Sequence, residues 1–549
     1  MQESFRGWST RYLATSLASP IISERLRREE YRRERGFAAL LITALTFFAV
    51  LVHGYHPYAE DGGVYLPEIK RLLDPGLYPH GAEFVVGHLR FSLFAPAMAG
   101  LVRESHLSVE MALLLVHLST FWMTLFAAWL LAARCYASRE AIGGAVALLA
   151  VWMTLPIAGT SLMLMDPYVT ARSLSTPCAL LALVGALEFL LPQFEIDDEQ
   201  KRERWRGLVM CCGALTGAAV MHPLMAAYAL GSVLLLGAVL SSSRLVRVWG
   251  TMGLGLTGLA MAAGLELSAP PESEIYRRVM LTRDYWFLSQ WHWYEWIGLI
   301  APLLILSVVA MGPLRERDDG RVGLARMAVA AGLTATAVAM LFARTGMSTH
   351  LVARMQPLRI FQLVYVVMIL VLGGALGERV LQRRRMRWIV VFSLLATVMV
   401  AAERRTFPAS KHLELPNPLA WGASADSINQ FEQAFEWISR NTPRDAVFAL
   451  DAQYISEPGE DAQGFRAIAE RSALPDFSKD GGVVTNKPGL ATAWVQGEVA
   501  QAELSVEPDA KRVAALKPLG VTWVVLERAA ATGFVCEYAD EAVKVCRLP

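Results

Sequence analysis

Two carboxylates stand side by side at Glu60-Asp61, a few positions after the first long apolar stretch of the chain. The run reads Tyr58-Ala59-Glu60-Asp61-Gly62-Gly63-Val64-Tyr65 and continues through Glu68, Lys70-Arg71 and Asp74. A carboxylate in such a loop can act as a general base or bind a metal. Gly62-Gly63 allows a sharp backbone turn, after which Val64–Leu73 can run as a short helix. Asp61 is equally well placed to do no more than cap that helix. A third acid, Asp166, lies in Leu164-Met165-Asp166-Pro167-Tyr168, with Arg172 six residues on. A structural salt bridge or a helix cap explains that pair as well as chemistry does.

Cationic and histidine side chains recur at similar places. His222-Pro223 falls between two apolar stretches, where a histidine serves as a turn residue or as a site residue. Arg277, Arg278 and Arg283 precede the aromatic runs Tyr285-Trp286-Phe287 and Trp291-His292-Trp293-Tyr294. The aromatics suit a membrane-interface belt. The arginines can hold a lipid phosphate. Arg344, His350, Arg354 and Arg359 form another group, open to two readings: a phosphate anchor or ordinary snorkelling.

The elements that must position these groups are set by composition. The chain has 549 residues, 54% hydrophobic and only 18% charged. A soluble globule carries about 25% charged residues, so the deficit points to a membrane protein. Lys+Arg (51) and Asp+Glu (50) balance, which removes a whole-chain case for binding nucleic acid. Eleven stretches are apolar enough to span a bilayer: 36–53, 108–133, 141–158, 173–191, 207–221, 224–241, 249–267, 296–312, 325–343, 358–377 and 388–402. The basic arm 1–35 has no apolar core of a cleavable signal and is expected in the cytoplasm. Alternating sides from there gives cytoplasmic segments with 24 Lys/Arg against 10 in the outer loops, which are longer in total. The positive-inside rule supports that orientation. Residues 36–402 are then a transmembrane domain with a long outer loop, 54–107. Within it, 89–102 is expected to lie along the surface, since a crossing there would turn the basic run 383–387 outward. Residues 403–549 fall outside as a small α/β domain, with an amphipathic helix over Ser424–Arg440 and four short strands. The last two strands, Phe534–Tyr538 and Val543–Leu548, form a hairpin that sets Cys536 opposite Cys546. Outside the cytoplasm such a pair can oxidise.

This pattern resembles the GT-C superfamily of integral-membrane glycosyltransferases, in the branch of protein O-mannosyltransferases and the lipid A aminoarabinose transferase. Glu60-Asp61 followed by Tyr65 resembles that family's acidic signature after the first span. Met165-Asp166-Pro167 resembles its second acidic motif after the third. Asn441–Phe448, Phe465-Arg466 and Ala469-Glu470-Arg471-Ser472 resemble tails of bacterial multi-pass proteins related to the superfamily. The resemblance implies a multi-pass protein of the bacterial inner membrane, with a cytoplasmic N-terminus and a periplasmic tail. It implies an inverting transfer of a sugar from a polyprenyl-phosphate donor to an acceptor. Asp61, or Glu60, would be the base, with Asp166 and His222 in support. Arg172, Arg277, Arg278, Arg283, Arg344, His350 and Arg354 would be the candidates for holding the donor's phosphate. Some members use a divalent metal, Mg or Mn, for which Glu60, Asp61 and Asp166 would be the ligands.

The absence of a Walker A run fits a donor that needs no nucleotide. Two other classes compete: a non-catalytic scaffold of the same architecture that binds a lipid-linked glycan, or a protein partner through 403–549, and a transporter. A transporter needs polar groups along the spans, and His117 is the main one.

Overall fold

A computed structural model describes residues 20–87, 91–191, 198–314, 319–416, 429–454 and 464–549. The arm 1–35 falls outside these residues up to position 19. Each of the eleven apolar stretches overlaps a helix. Seven described helices are long and apolar enough to cross a membrane: Val109–Cys135, Ala171–Leu190, Val246–Ser268, Trp293–Ala310, Gly320–Phe342, Leu351–Leu381 and Arg385–Thr406. Ala38–His53 and Pro223–Val239 are shorter apolar helices. These are the helices of a polytopic membrane protein.

The first apolar stretch belongs to α1 (Pro20–His53). Past it the chain turns at Gly54 and, after a left-handed Glu60 (φ 46°), enters α2 (Gly62–Leu73). Next comes α3 (Phe94–Ser105), where 89–102 was expected to lie flat; Arg90 falls outside the described residues. Twelve residues of helix reach about 18 Å, well short of a hydrocarbon layer about 30 Å thick. α3 packs on α2 instead, with Phe94 edge-on to Tyr65 at 5.2 Å between centroids.

α4 (Val109–Cys135) is followed by α5 (Arg139–Val151), which ends earlier than the apolar stretch 141–158 suggests. At Trp152 the chain leaves the helix and folds into a compact irregular segment, where Ile157 N donates to Leu162 O at 2.8 Å. Pro156 has no amide to continue a helical ladder. The freed groups are met inside the protein: Met153 N donates to His53 Nε2 at 3.2 Å, and Thr154 Oγ1 pairs with His53 Nδ1 at 2.8 Å. Non-helical backbone beside lipid-spanning helices is tolerable only when buried in this way. α6 (Ala171–Leu190) follows, begun by a Thr170–Ser173 capping box. α7 (Phe361–Ala375) crosses α5 almost backbone to backbone. A Cβ on Gly144 would stand 2.3 Å from Gly373 O, so this crossing needs glycine. α8 (Arg385–Thr406) closes the bundle.

The tail carries a five-stranded sheet in the order β2-β1-β3-β5-β4. Its strands are β1 (Val447–Ala449), β2 (Ser472–Ala473), β3 (Trp523–Glu527), β4 (Cys536–Ala539) and β5 (Val543–Arg547). β2, β1 and β3 run parallel, and β5 and β4 complete the sheet antiparallel. Cys536 faces Cys546 across β4 and β5, and the two form a disulfide. The amphipathic helix is Gln430–Asn441, with Phe435 and Ile438 fully buried; Ser424–Ile428 fall outside the described residues.

A histidine–glutamate box joins the start of the loop after α1 to the linker after α8. His56 Nε2 lies 2.5 Å from Glu403, His412 Nδ1 lies 2.7 Å from the same carboxylate, and Glu414 N donates to Tyr55 O at 3.0 Å. Burial alone would lower the His56 pKa, but the bonds to Glu403 and Glu414 raise it to about 9. Its charge therefore adds stability that is complete below pH 6.5 and is lost as the pH rises through about 9. The melting temperature of the wild type should fall towards that of His56→Gln between these two values. A gap between the two that stays constant with pH would remove the charged pair from the account.

Candidate functional site

Asp61 of the acidic doublet and Asp166 of the second loop meet on one guanidinium. Arg172 Nη1 lies 3.0 Å from Asp61 Oδ2, and its Nη2 lies 2.8 Å from Asp166 Oδ2. Arg172 is in the first turn of α6, where the helix dipole favours an anion and opposes a cation. Two carboxylates at that helix end remove the conflict. Asp166 is held there by the irregular segment before α6, and Thr170 Oγ1 bonds it at 3.4 Å. Asp61 is held there by the turn into α2. It precedes α2 but makes no side-chain cap. Its backbone oxygen takes the amides of Val64 and Tyr65, at 3.0 and 3.1 Å, and its carboxylate is left for the cations.

A second cation comes from the tail. Lys479 Nζ lies 2.5 Å from Glu60 Oε2 and 3.2 Å from Asp61 Oδ1. Glu60 reaches it from a left-handed backbone, which costs a residue with a Cβ about 1–2 kcal/mol. The tail can come this close because two glycines face each other. A Cβ on Gly63 would stand 2.8 Å from Gly464 Cα.

The acids differ electrostatically. Burial would raise the Asp61 pKa, but Lys479 and Arg172 hold it well below the carboxylate range. Burial pushes Asp166 up; Arg172 opposes this and the charge on Asp61 adds to it. Burial would lower Lys479, and Glu60 and Asp61 more than reverse this. Asp61 is thus a fixed anion, whereas Asp166 is easier to protonate.

The metal reading of Glu60, Asp61 and Asp166 does not fit this arrangement. The guanidinium of Arg172 stands between Asp61 and Asp166, and an ammonium stands on Glu60 and Asp61. A divalent ion would have to displace both. No group of three or more His, Cys, Asp or Glu suited to a metal occurs among the described residues.

The other sequence candidates scatter. Arg283 is buried and donates to Phe477 O at 2.7 Å and to Ser478 O at 2.5 Å. Arg354 donates to Thr485 O at 3.0 Å. Both hold the tail down. His350 is buried against Glu272, Nδ1 to Oε2 2.6 Å. His222 caps Pro223–Val239 by accepting from Met225 N at 3.4 Å. Arg277 donates to Thr345 O at 3.3 Å, and Arg278 and Arg344 are exposed. Arg359, by contrast, lies close enough to Arg172 and Asp61 to feel their charge, and it bonds Gln356 Oε1 at 2.6 Å. Lys479 escaped sequence reading altogether. Its only local signal is Asp476 three residues earlier, a cap for the helix that Lys479 begins, and nothing there names Glu60 or Asp61 as partners.

No protein-family model matches this chain, and no curated protein matches it. The functional argument therefore rests on geometry.

Arg172 is 6% exposed and Asp166 4% at the side chain, whereas Glu60 is 46% exposed. Arg172→Ala, which leaves Asp166 buried without its cation, should cost about 3–5 kcal/mol. Lys479→Ala, acting on half-open acids, should cost about 0–1 kcal/mol. Denaturation in detergent compares the two, and equal losses would refute this ranking.

Proposed function

We propose that this chain is an integral-membrane glycosyltransferase of GT-C type. It moves a sugar from a polyprenyl-phosphate donor to an acceptor at the membrane face where the tail lies. The observation that carries the reading is the meeting of Asp61 and Asp166 on Arg172. Acids more than a hundred residues apart, each in the loop expected from the resemblance, share one buried cation at a helix mouth. The excess of Lys/Arg in the loops at the other end supports placing that mouth outside, which makes the tail periplasmic in a bacterial inner membrane.

In this reading the acceptor oxygen attacks the anomeric carbon from the side opposite the phosphate, and the configuration inverts. The bond from that carbon to the phosphate oxygen breaks, and polyprenyl phosphate leaves with the electron pair. The acceptor proton goes to the Asp61 carboxylate. Arg172 stabilises the charge that grows on the departing phosphate. Paired to two cations, Asp61 is ionised but a weak base. A phosphate that draws one of these cations away weakens that pairing and raises the basicity of Asp61 when a proton must be taken.

One observation favours the scaffold as a second reading. Glu60 and Asp61 are both engaged by cations, and the cavity beside Lys479, lined by Gly63, Pro67, Tyr454 and Asp476, is only about 30 Å³. That volume holds a water and not a sugar.

The test is release of polyprenyl phosphate from a panel of polyprenyl-phosphate sugars in proteoliposomes, with cell-envelope extract as acceptor. Asp61→Asn should lower the rate by about 10²–10⁴-fold, and Glu60→Gln by less. Full activity in a folded Glu60→Gln, Asp61→Asn protein would sink the transferase. Donor binding with no release, in wild type and variants alike, would establish the scaffold.

A further inference from the structure

The tail brings one charged side chain to the acids of the membrane domain, and how its backbone is held bears on its task. Residues 476–485 are pinned from several sides. Arg283 takes the carbonyls of Phe477 and Ser478, and Arg354 and Tyr276 take that of Thr485. Asp476 Oδ1 accepts from Lys479 N at 2.6 Å. A Cβ on Gly481 would stand 2.4 Å from Arg283 Nη2, so the segment fits closely against the membrane domain. Elsewhere the tail is tied by Lys70 to Glu470 (2.7 Å) and by Tyr78 to Arg466 O (2.7 Å). The backbone that carries Lys479 is fixed, and what can move is its four-carbon stem.

An anion entering this site meets three carboxylates, Glu60, Asp61 and Asp166. It needs a cation that can change partners. Arg172 is a poor choice for that, because it is deeply buried and its fork is divided between Asp61 and Asp166. Lys479 is also mostly buried, at 15% side-chain exposure, and also shared between two carboxylates, but it differs in its stem and in the exposure of its partners. Its ammonium is a point charge on a flexible stem. Its partners, Glu60 and Asp61, are 46% and 32% exposed, so water can take them over when it leaves.

We propose that Lys479 is a phosphate ligand of this site, supplied by the tail, which moves its charge from the Glu60–Asp61 pair to the phosphate of a polyprenyl-phosphate ligand. The proposal rests on the reading of the site as one for such a donor. It makes the tail a wall of the site.

The test uses the full chain in nanodiscs and measures binding of a polyprenyl phosphate, the matching polyprenol and inorganic phosphate. Lys479→Ala and Lys479→Gln should weaken the lipid phosphate by about tenfold or more, the worth of a charge-assisted hydrogen bond. They should leave the polyprenol unchanged. Lys479→Arg should restore most of the affinity. Lys70→Ala, which loosens the tail without touching the acids, should have no effect. The proposal falls alone if Arg172→Gln weakens binding and Lys479→Ala does not, or if Lys70→Ala and Lys479→Ala weaken it equally, as a mere tether would. If the wild type binds lipid phosphate no better than polyprenol, the donor reading falls with it. Binding of inorganic phosphate alone, with the same dependence on Lys479, would overturn the lipid source.

Discussion

A guanidinium at the mouth of a buried helix is an unfavourable charge in an unfavourable place, and the surrounding structure is arranged to neutralise it. The first turn of α6 exposes amides that attract anions. Arg172 sits there at 6% exposure, and it is tolerable because Asp61 and Asp166 arrive from two different loops. Each arrival constrains its loop. The segment before α6 must abandon helix after Val151 to bring Asp166 round. The chain after α1 must turn at Glu60 and Gly62 to bring Asp61 in ahead of α2. The positions of α2, the irregular segment and α6 relative to one another therefore follow from one charge cluster.

The tail obeys the same logic. Glu60 and half of Asp61 would face solvent without it, and Lys479 answers both. The two arginines that hold its backbone, Arg283 and Arg354, donate to carbonyls and not to carboxylates, so they orient the tail without drawing charge from the acids. The histidine–glutamate box does related work at the linker. It fixes Leu413 beside Tyr55, the point where the tail leaves the bundle and the acidic loop begins. Loop and tail are tied at both ends of the site.

Much of this was legible in the sequence, and the pattern of what was not is physical. Apolar length located the helices, because a lipid-facing helix advertises itself by composition. The stretch 89–102 overlaps the helix Phe94–Ser105, which is too short to cross a bilayer. Four of the tail's five strands and the facing of Cys536 and Cys546 followed from alternation and register, whereas β2, only two residues long, left no such pattern. The early end of α5 was not readable, because a buried irregular segment is as apolar as the helix it interrupts. Only Pro156 and the Gly159-Thr160-Ser161 run hinted at it. Of the cations, Arg172 could be named because it lies six residues from Asp166. Lys479 could not, because its partners lie more than four hundred residues away and no local pattern encodes a contact between domains. Arg283 and Arg354 were singled out for their charge, yet the structure uses them as multiple hydrogen-bond donors. Residue type alone does not separate those two uses of arginine.

The geometry also separates the two acids of the doublet, of which the sequence reading preferred Asp61 to Glu60 as the base. Glu60 has one cationic partner, is nearly half open to water and stands on a left-handed backbone that holds it at the rim. Asp61 has two, one from a rigid helix mouth and one from a flexible stem. A base must be ionised before the reaction and must gain affinity for a proton during it. A carboxylate held only by rigid partners stays ionised but gains nothing. One held only by solvent-exposed partners has little to lose when they leave. Of the two acids, Asp61 is the one that pairs both with Arg172 and with Lys479, and in the proposed reaction the departure of Lys479 would make it more basic. In the proposed transferase, that asymmetry is the reason to give proton transfer to Asp61 and to leave Glu60 as the residue that receives or releases Lys479.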